Sequence, residues 1–153
     1  MKIVIPKERR AHERRVAATP DTVKKIIALG FEVAIEKDAG IASRITNEAY
    51  QEAGATLSDD LAGLLGSADI VLKVQRPLLA SEGDVNELAL IKRGAVVIAM
   101  LSPYADPAAI AQYADAGITT MTLEFVPPGG ALGQAVMKMF NDDPDTDAVI
   151  MIG

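Results

Sequence analysis

The 153-residue chain contains no cysteine, no tryptophan and a single histidine, His12. Without cysteine there is no disulfide, no thiolate nucleophile and no thiolate metal site, which fits a cytoplasmic setting. One histidine excludes a histidine-rich metal centre, so no metal is expected. No apolar run approaches the roughly 20 residues of a membrane span, and no membrane insertion is expected. Met1 leads at once into Lys2-Ile3-Val4-Ile5-Pro6, which reads as a strand and not as a secretory signal. Positive charge is also short. Against 21 acidic residues stand 15 Lys and Arg, a net charge of −6, so no nucleic-acid partner is expected. Half of the residues are hydrophobic, enough for a substantial core, and no linker divides the chain. One domain over residues 1–153 is the expectation.

What is present is a regular alternation of strand-like and helix-like segments. Ile3-Val4-Ile5 is a short apolar run. Thr19-Pro20-Asp21 supplies a cap, a first-turn proline and an acid at the positive end of a helix, and Gly30 stops it. Phe31–Glu36 alternates in the strand rhythm. Helices follow at Asn47–Ala53 and from Ser58-Asp59-Asp60 through Leu65, then a strand at Asp69–Val74 and a short helix at Val85–Ile91. Ala95–Leu101 is the most apolar strand; a helix opens at Asp106-Pro107, and Ile118–Glu124 is the next strand. After Pro127-Pro128-Gly129-Gly130 the pattern predicts a helix over Leu132–Phe140 and a last strand over Ala148–Ile152. Such alternation with continuous apolar strands predicts a doubly wound, mostly parallel sheet of five to six strands in a flavodoxin-like three-layer sandwich.

In an open parallel sheet, ligands bind at the carboxyl ends of the strands. The first strand leads into Lys7–Arg15, which holds five of the fifteen basic residues. The strand at Asp69–Val74 ends at Gln75-Arg76, and the next two end at Ser102 and Glu124. Lys7, Arg15, Gln75 and Arg76 therefore form a candidate anion-binding rim, because a guanidinium holds a carboxylate or phosphate through two parallel hydrogen bonds. Pairing of the same cations with Glu8, Glu13 and Glu124 is the alternative. Other motifs carry less. Gly129-Gly130-Ala131-Leu132-Gly133 matches neither dinucleotide nor Walker spacing. Asp143, Asp145 and Asp147 lack the glycine and the twelfth ligand of a calcium loop. Ser102 has no histidine in a triad arrangement, and His12 reads as a surface residue, so no catalytic residue is assigned.

Residues 1–127 resemble the N-terminal domain of the NAD(P) transhydrogenase alpha subunit, a relative of alanine dehydrogenase. The resemblance rests on Ile5-Pro6-Lys7-Glu8-Arg9, Arg15-Val16-Ala17-Ala18-Thr19-Pro20, Leu29-Gly30-Phe31-Glu32-Val33, Leu72-Lys73-Val74-Gln75-Arg76-Pro77 and Leu123-Glu124-Phe125-Val126-Pro127. It implies an oxidoreductase parent that uses NAD(H), transfers hydride between NADH and NADP, and assembles with other transhydrogenase subunits. It also implies that Arg15 matches the arginine that grips substrate carboxylate in alanine dehydrogenase. Gln75 stands where that enzyme has a substrate-binding lysine, which favours the transhydrogenase branch. Residues 129–153, through Asp143-Pro144-Asp145-Thr146 and Ile150-Met151-Ile152-Gly153, resemble a segment of the succinyl-CoA synthetase alpha subunit.

The two resemblances together predict a chimera in which a foreign helix and strand complete a truncated sheet. On that reading the chain has no catalytic function, needs no cofactor and is a monomer or homodimer. The alternatives are a transhydrogenase alpha fragment with weak nucleotide binding or subunit contacts, and a small anion-binding module.

Overall fold

The computed structural model describes residues 1–124. The expected helix at Leu132–Phe140, the expected strand at Ala148–Ile152 and the segment resembling succinyl-CoA synthetase lie outside the described residues. The described chain runs β1 (Lys2–Ile5), α1 (Pro20–Ala28), β2 (Glu32–Glu36), a short 3-10 turn (Ile41–Ser43), α2 (Asn47–Glu52), β3 (Thr56–Ser58) and α3 (Leu61–Ser67). It continues with β4 (Ile70–Gln75), α4 (Glu87–Leu90), β5 (Val96–Met100), α5 (Pro107–Asp115) and β6 (Thr119–Thr122). All strand pairs are parallel and the sheet order is β3-β2-β1-β4-β5-β6. Without β3 the order is that of a flavodoxin-like sheet; with it, the order is that of a dinucleotide fold. The doubly wound parallel sheet is as the alternation predicts.

Helix starts follow their caps. Thr19 accepts a hydrogen bond from the Thr22 amide ahead of Pro20, and Thr46, Asp60, Asn86 and Asp106 cap the other four helices in the same way. Gly30 takes φ +91 at the exit from α1, a conformation that only glycine enters without penalty.

Two cores flank the sheet. On one face, Val23 and Ile26 of α1 and Tyr50 of α2 pack on Ile3, Ile5, Val33 and Ile35. On the other, Leu64 and Leu65 of α3, Leu88 of α4 and Tyr113 of α5 pack on Val4, Val71, Val97 and Ala99. Tyr50 is 1% exposed and its hydroxyl donates to the Ala18 carbonyl at 2.7 Å, tying α2 to the loop before α1. Burial pushes that hydroxyl's pKa up to about 12. Tyr50→Phe is expected to cost about 1 kcal/mol, the net worth of one such bond, read as a lower urea midpoint at unchanged slope.

Candidate functional site

The carboxyl ends of the strands gather the loops after β1, β2, β4 and β5. The strand order reverses between β1 and β4, the place where doubly wound folds open a ligand crevice. Here that crevice is filled by side chains. Lys73 sits on β4 between the apolar Leu72 and Val74, and its Nζ lies 3.1 Å from Glu87 Oε1 and 3.5 Å from Glu8 Oε2. The side chains of Lys73, Glu8 and Glu87 are 2%, 3% and 1% exposed. Arg9 joins from the loop after β1, donating to Glu87 Oε1 at 3.3 Å and pairing closely with Glu36 at the end of β2. Backbone amides complete the set: Val74 donates to Glu8 at 2.7 Å, Leu78 to Glu87 at 2.9 Å and Lys7 to Glu36 at 2.8 Å.

Three carboxylates thus share two cations in this network. Glu8 carries the imbalance. Burial pushes its pKa above the ordinary carboxylate value, with Lys73 acting against the rise. Its Oε2 is buried without a hydrogen-bond partner.

A second cluster lies beside the first. Arg15 folds back onto Glu13, donating from Nε at 2.8 Å and from its terminal nitrogen at 2.7 Å. Gln75 Nε2 donates to the same carboxylate at 3.0 Å. The Arg15 hydrogen bonds, against some burial, hold Glu13 down at about 2. Lys7, Glu8, Glu13, Arg15 and Asp38 border a cavity of about 320 Å³ whose apolar wall includes Ala39 and Ile41.

Arg76 does not join them. It turns toward α5, gripping Glu82 at 2.6 and 2.9 Å, Asp106 at 2.9 Å and the Tyr113 hydroxyl at 3.2 Å. Arg10 grips the same Glu82 at 2.9 and 3.2 Å. Of the expected rim, Lys7 and Arg15 border one cavity, Gln75 reaches it through Glu13, and Arg76 belongs to a separate clasp. Ser102 lies just past β5 with φ 49, and its amide and hydroxyl both donate to Glu124. His12 is exposed at the tip of the first loop with φ 68.

Glu36, Glu82 and Glu87 carry much of this architecture, and nothing in their local sequence marks them. Lys73 is different: a lysine inside Ile70-Val71-Leu72-Lys73-Val74 has to find a buried partner, and that signal is readable.

At the end of β1 the features that hold a dinucleotide are replaced by others. The loop leaving β1 begins Pro6-Lys7-Glu8-Arg9, without a glycine turn, and α1 starts only at Pro20. The loop leaving β1 therefore lacks both the glycine turn and the adjacent helix N-terminus on which a dinucleotide fold seats the pyrophosphate. Among the described residues, no group of three or more His, Asp or Glu side chains is placed to hold a metal ion. None of the described helices is long and apolar enough to cross a membrane.

Residues 4–140 match the family of the alanine dehydrogenase/PNT N-terminal domain. The chain is 46% identical over 127 residues to an NAD(P) transhydrogenase subunit alpha polypeptide of Rhodospirillum rubrum, covering 83% of this chain and 33% of the relative. It is 35% identical over 132 residues to the alanine dehydrogenase of Bacillus subtilis, covering 86% and 33% respectively. Among solved structures, a transhydrogenase from Sinorhizobium meliloti superposes with a TM-score of 0.77 at 38% identity, covering 88% of this chain and 36% of that one. An L-alanine dehydrogenase superposes at 0.75 with 29% identity, over 82% and 33%. The chain spans about a third of the length of the curated relatives it matches. By sequence and by fold alike, it belongs to the alanine dehydrogenase/PNT N-terminal domain family.

Proposed function

We propose that the chain works as the companion domain of a transhydrogenase-type alpha subunit, contributing subunit contacts and not the grip on nucleotide. The observation that carries this is the buried Lys73–Glu8–Glu87 cluster beside the β1/β4 switch point, the place where dinucleotide folds open their ligand crevice. Gln75 supports the transhydrogenase branch over the amino-acid dehydrogenase branch. It is neutral, and it is spent on Glu13. The hydride transfer between NADH and NADP implied for such relatives needs a cofactor fixed against its acceptor, which this reading assigns to other parts of the assembly. The chain alone is then expected to give no saturable heat with NADH in calorimetry. Micromolar binding of NADH by residues 1–153 overturns the reading.

A second reading, a small carboxylate site, is favoured by the cavity bordered by Lys7 and Arg15. Glu13 already takes both donor arms of Arg15 and so competes with any incoming anion. Glu13→Gln removes that competitor. The variant is expected to bind pyruvate or oxalate about tenfold more tightly than wild type, a difference of ~1.4 kcal/mol. Arg15→Ala in the same background is expected to abolish the signal. A carboxylate signal unmoved by either change places the anion elsewhere.

A further inference from the structure

We propose that Arg10 and Arg76 form a binding site for inorganic phosphate or a phosphate monoester, and that Glu82 holds it closed until the ligand displaces it. The two arginines follow β1 and β4, the strands on either side of the point where the sheet order reverses. Doubly wound sheets take their ligands at that place. The donors outnumber what a carboxylate can accept. Arg76 donates to the two Glu82 oxygens at 2.6 and 2.9 Å, and Arg10 at 2.9 and 3.2 Å. The Leu79 amide adds a further bond at 2.9 Å. A carboxylate offers about four lone-pair sites on its two oxygens. Here Oε2 takes Arg10, Arg76 and the Leu79 amide together. A phosphate group spreads the same donors over more oxygens and brings more charge to the paired guanidiniums.

Contacts other than Glu82 hold the arginines in place. Arg76 also donates to Asp106 at 2.9 Å and to the Tyr113 hydroxyl at 3.2 Å. Tyr113 is buried, and its hydroxyl in turn donates to the Pro77 carbonyl at 2.8 Å. Arg10 donates from Nε and from a terminal nitrogen to the Arg76 carbonyl, each at 3.4 Å. Removing Glu82 therefore leaves a fork of two oriented guanidiniums, and among the described residues Asp106 is the one acid still paired with it. Donors fixed in advance lose little freedom when an anion arrives. Glu82 is the part that moves. It lies in the loop between β4 and α4, flanked by the exposed residues Ala80, Ser81, Gly83 and Asp84. Buried Leu79 and Glu87 pin that loop on either side, so its tip swings without opening the core.

Substitution of Glu82 in the full chain tests this directly. Glu82→Ala removes the competing carboxylate and is expected to bind inorganic phosphate about tenfold more tightly than wild type, by calorimetry at constant ionic strength. Glu82→Gln keeps the size of the side chain and is expected to gain about threefold. Circular dichroism checks that each variant is folded, and Glu82→Gln carries the test where Glu82→Ala is not. Adding Arg10→Ala to either variant is expected to abolish the gain. Adding Arg15→Ala is expected to leave it intact, which separates this site from the cavity beside Glu13. Acetate, with two oxygens and one charge, is expected to gain less than phosphate. No gain in a folded Glu82 variant, or a gain that survives Arg10→Ala, overturns the proposal. An equal gain for acetate overturns it too, because charge alone then accounts for the effect.

Discussion

Replacing Lys73 by methionine is expected to lower stability by about 3–5 kcal/mol, the cost of stripping one partner from a buried ionic network. Lys73 is the cation nearest to both Glu8 and Glu87, and its removal leaves three carboxylates facing Arg9 alone. Methionine keeps the apolar stem, so the loss reports charge and hydrogen bonding and not volume. Glu8→Gln runs the other way. A group whose folded pKa is raised adds stability below its unfolded value and loses that contribution as pH rises through the folded value. Burial raises Glu8 in this manner. Glutamine fixes a neutral side chain there, so the variant is expected to match wild type in acid and to gain on it as pH rises. The double change is expected to cost less than Lys73→Met alone, because the two side chains are in contact and not additive. Urea midpoints across pH 4–8 check all three statements. A cost below ~1 kcal/mol for Lys73→Met places these charges in water and removes the filled crevice.

Much of this fold is legible in the sequence because its signals are local. Thr19-Pro20, Ser58-Asp59-Asp60 and Asp106-Pro107 announce helix starts, and the structure caps those helices with Thr19, Asp60 and Asp106. The apolar runs at Ile3–Ile5 and Ala95–Leu101 become inner strands. Strand β3 is not legible: Thr56-Leu57-Ser58 has one apolar residue and owes its conformation to pairing with Ala34–Glu36 of β2. The site is half legible. Convergence of loop residues at the strand ends follows from topology alone, and it brings Lys7, Arg15 and Gln75 together. Which cation meets which acid does not follow. Arg76 is drawn away by Glu82 of its own loop and by Asp106 from the loop before α5, and no spacing rule connects them.

That clasp yields the second large effect. Arg76→Ala is expected to cost about 2–3 kcal/mol near neutral pH, since it removes charge-assisted bonds at a largely buried guanidinium. Arg76 is 13% exposed and spans three partners, holding Glu82 within its own loop and joining that loop to α5 through Asp106 and Tyr113. Arg10 still holds Glu82 in the variant, so the loss is partial and the loop stays attached. Lysine is expected to restore less than half of the loss, because a point charge cannot reproduce the two-armed grip on Glu82. The pH dependence separates this from a packing defect. Burial pushes Glu82 up, but hydrogen bonds from Arg10, the Leu79 amide and Arg76 outweigh it and hold the carboxyl at about 2 against an ordinary 4.5. A depressed folded pKa adds stability above the unfolded value and loses it as pH falls toward the folded one. The gap between wild type and Arg76→Ala is therefore expected to be widest above pH 4.5 and to narrow steadily as pH falls toward 2. Urea midpoints at pH 7, 4.5 and 3.5 measure it, and a gap that stays constant across that range assigns the effect to lost packing and removes the ionic clasp.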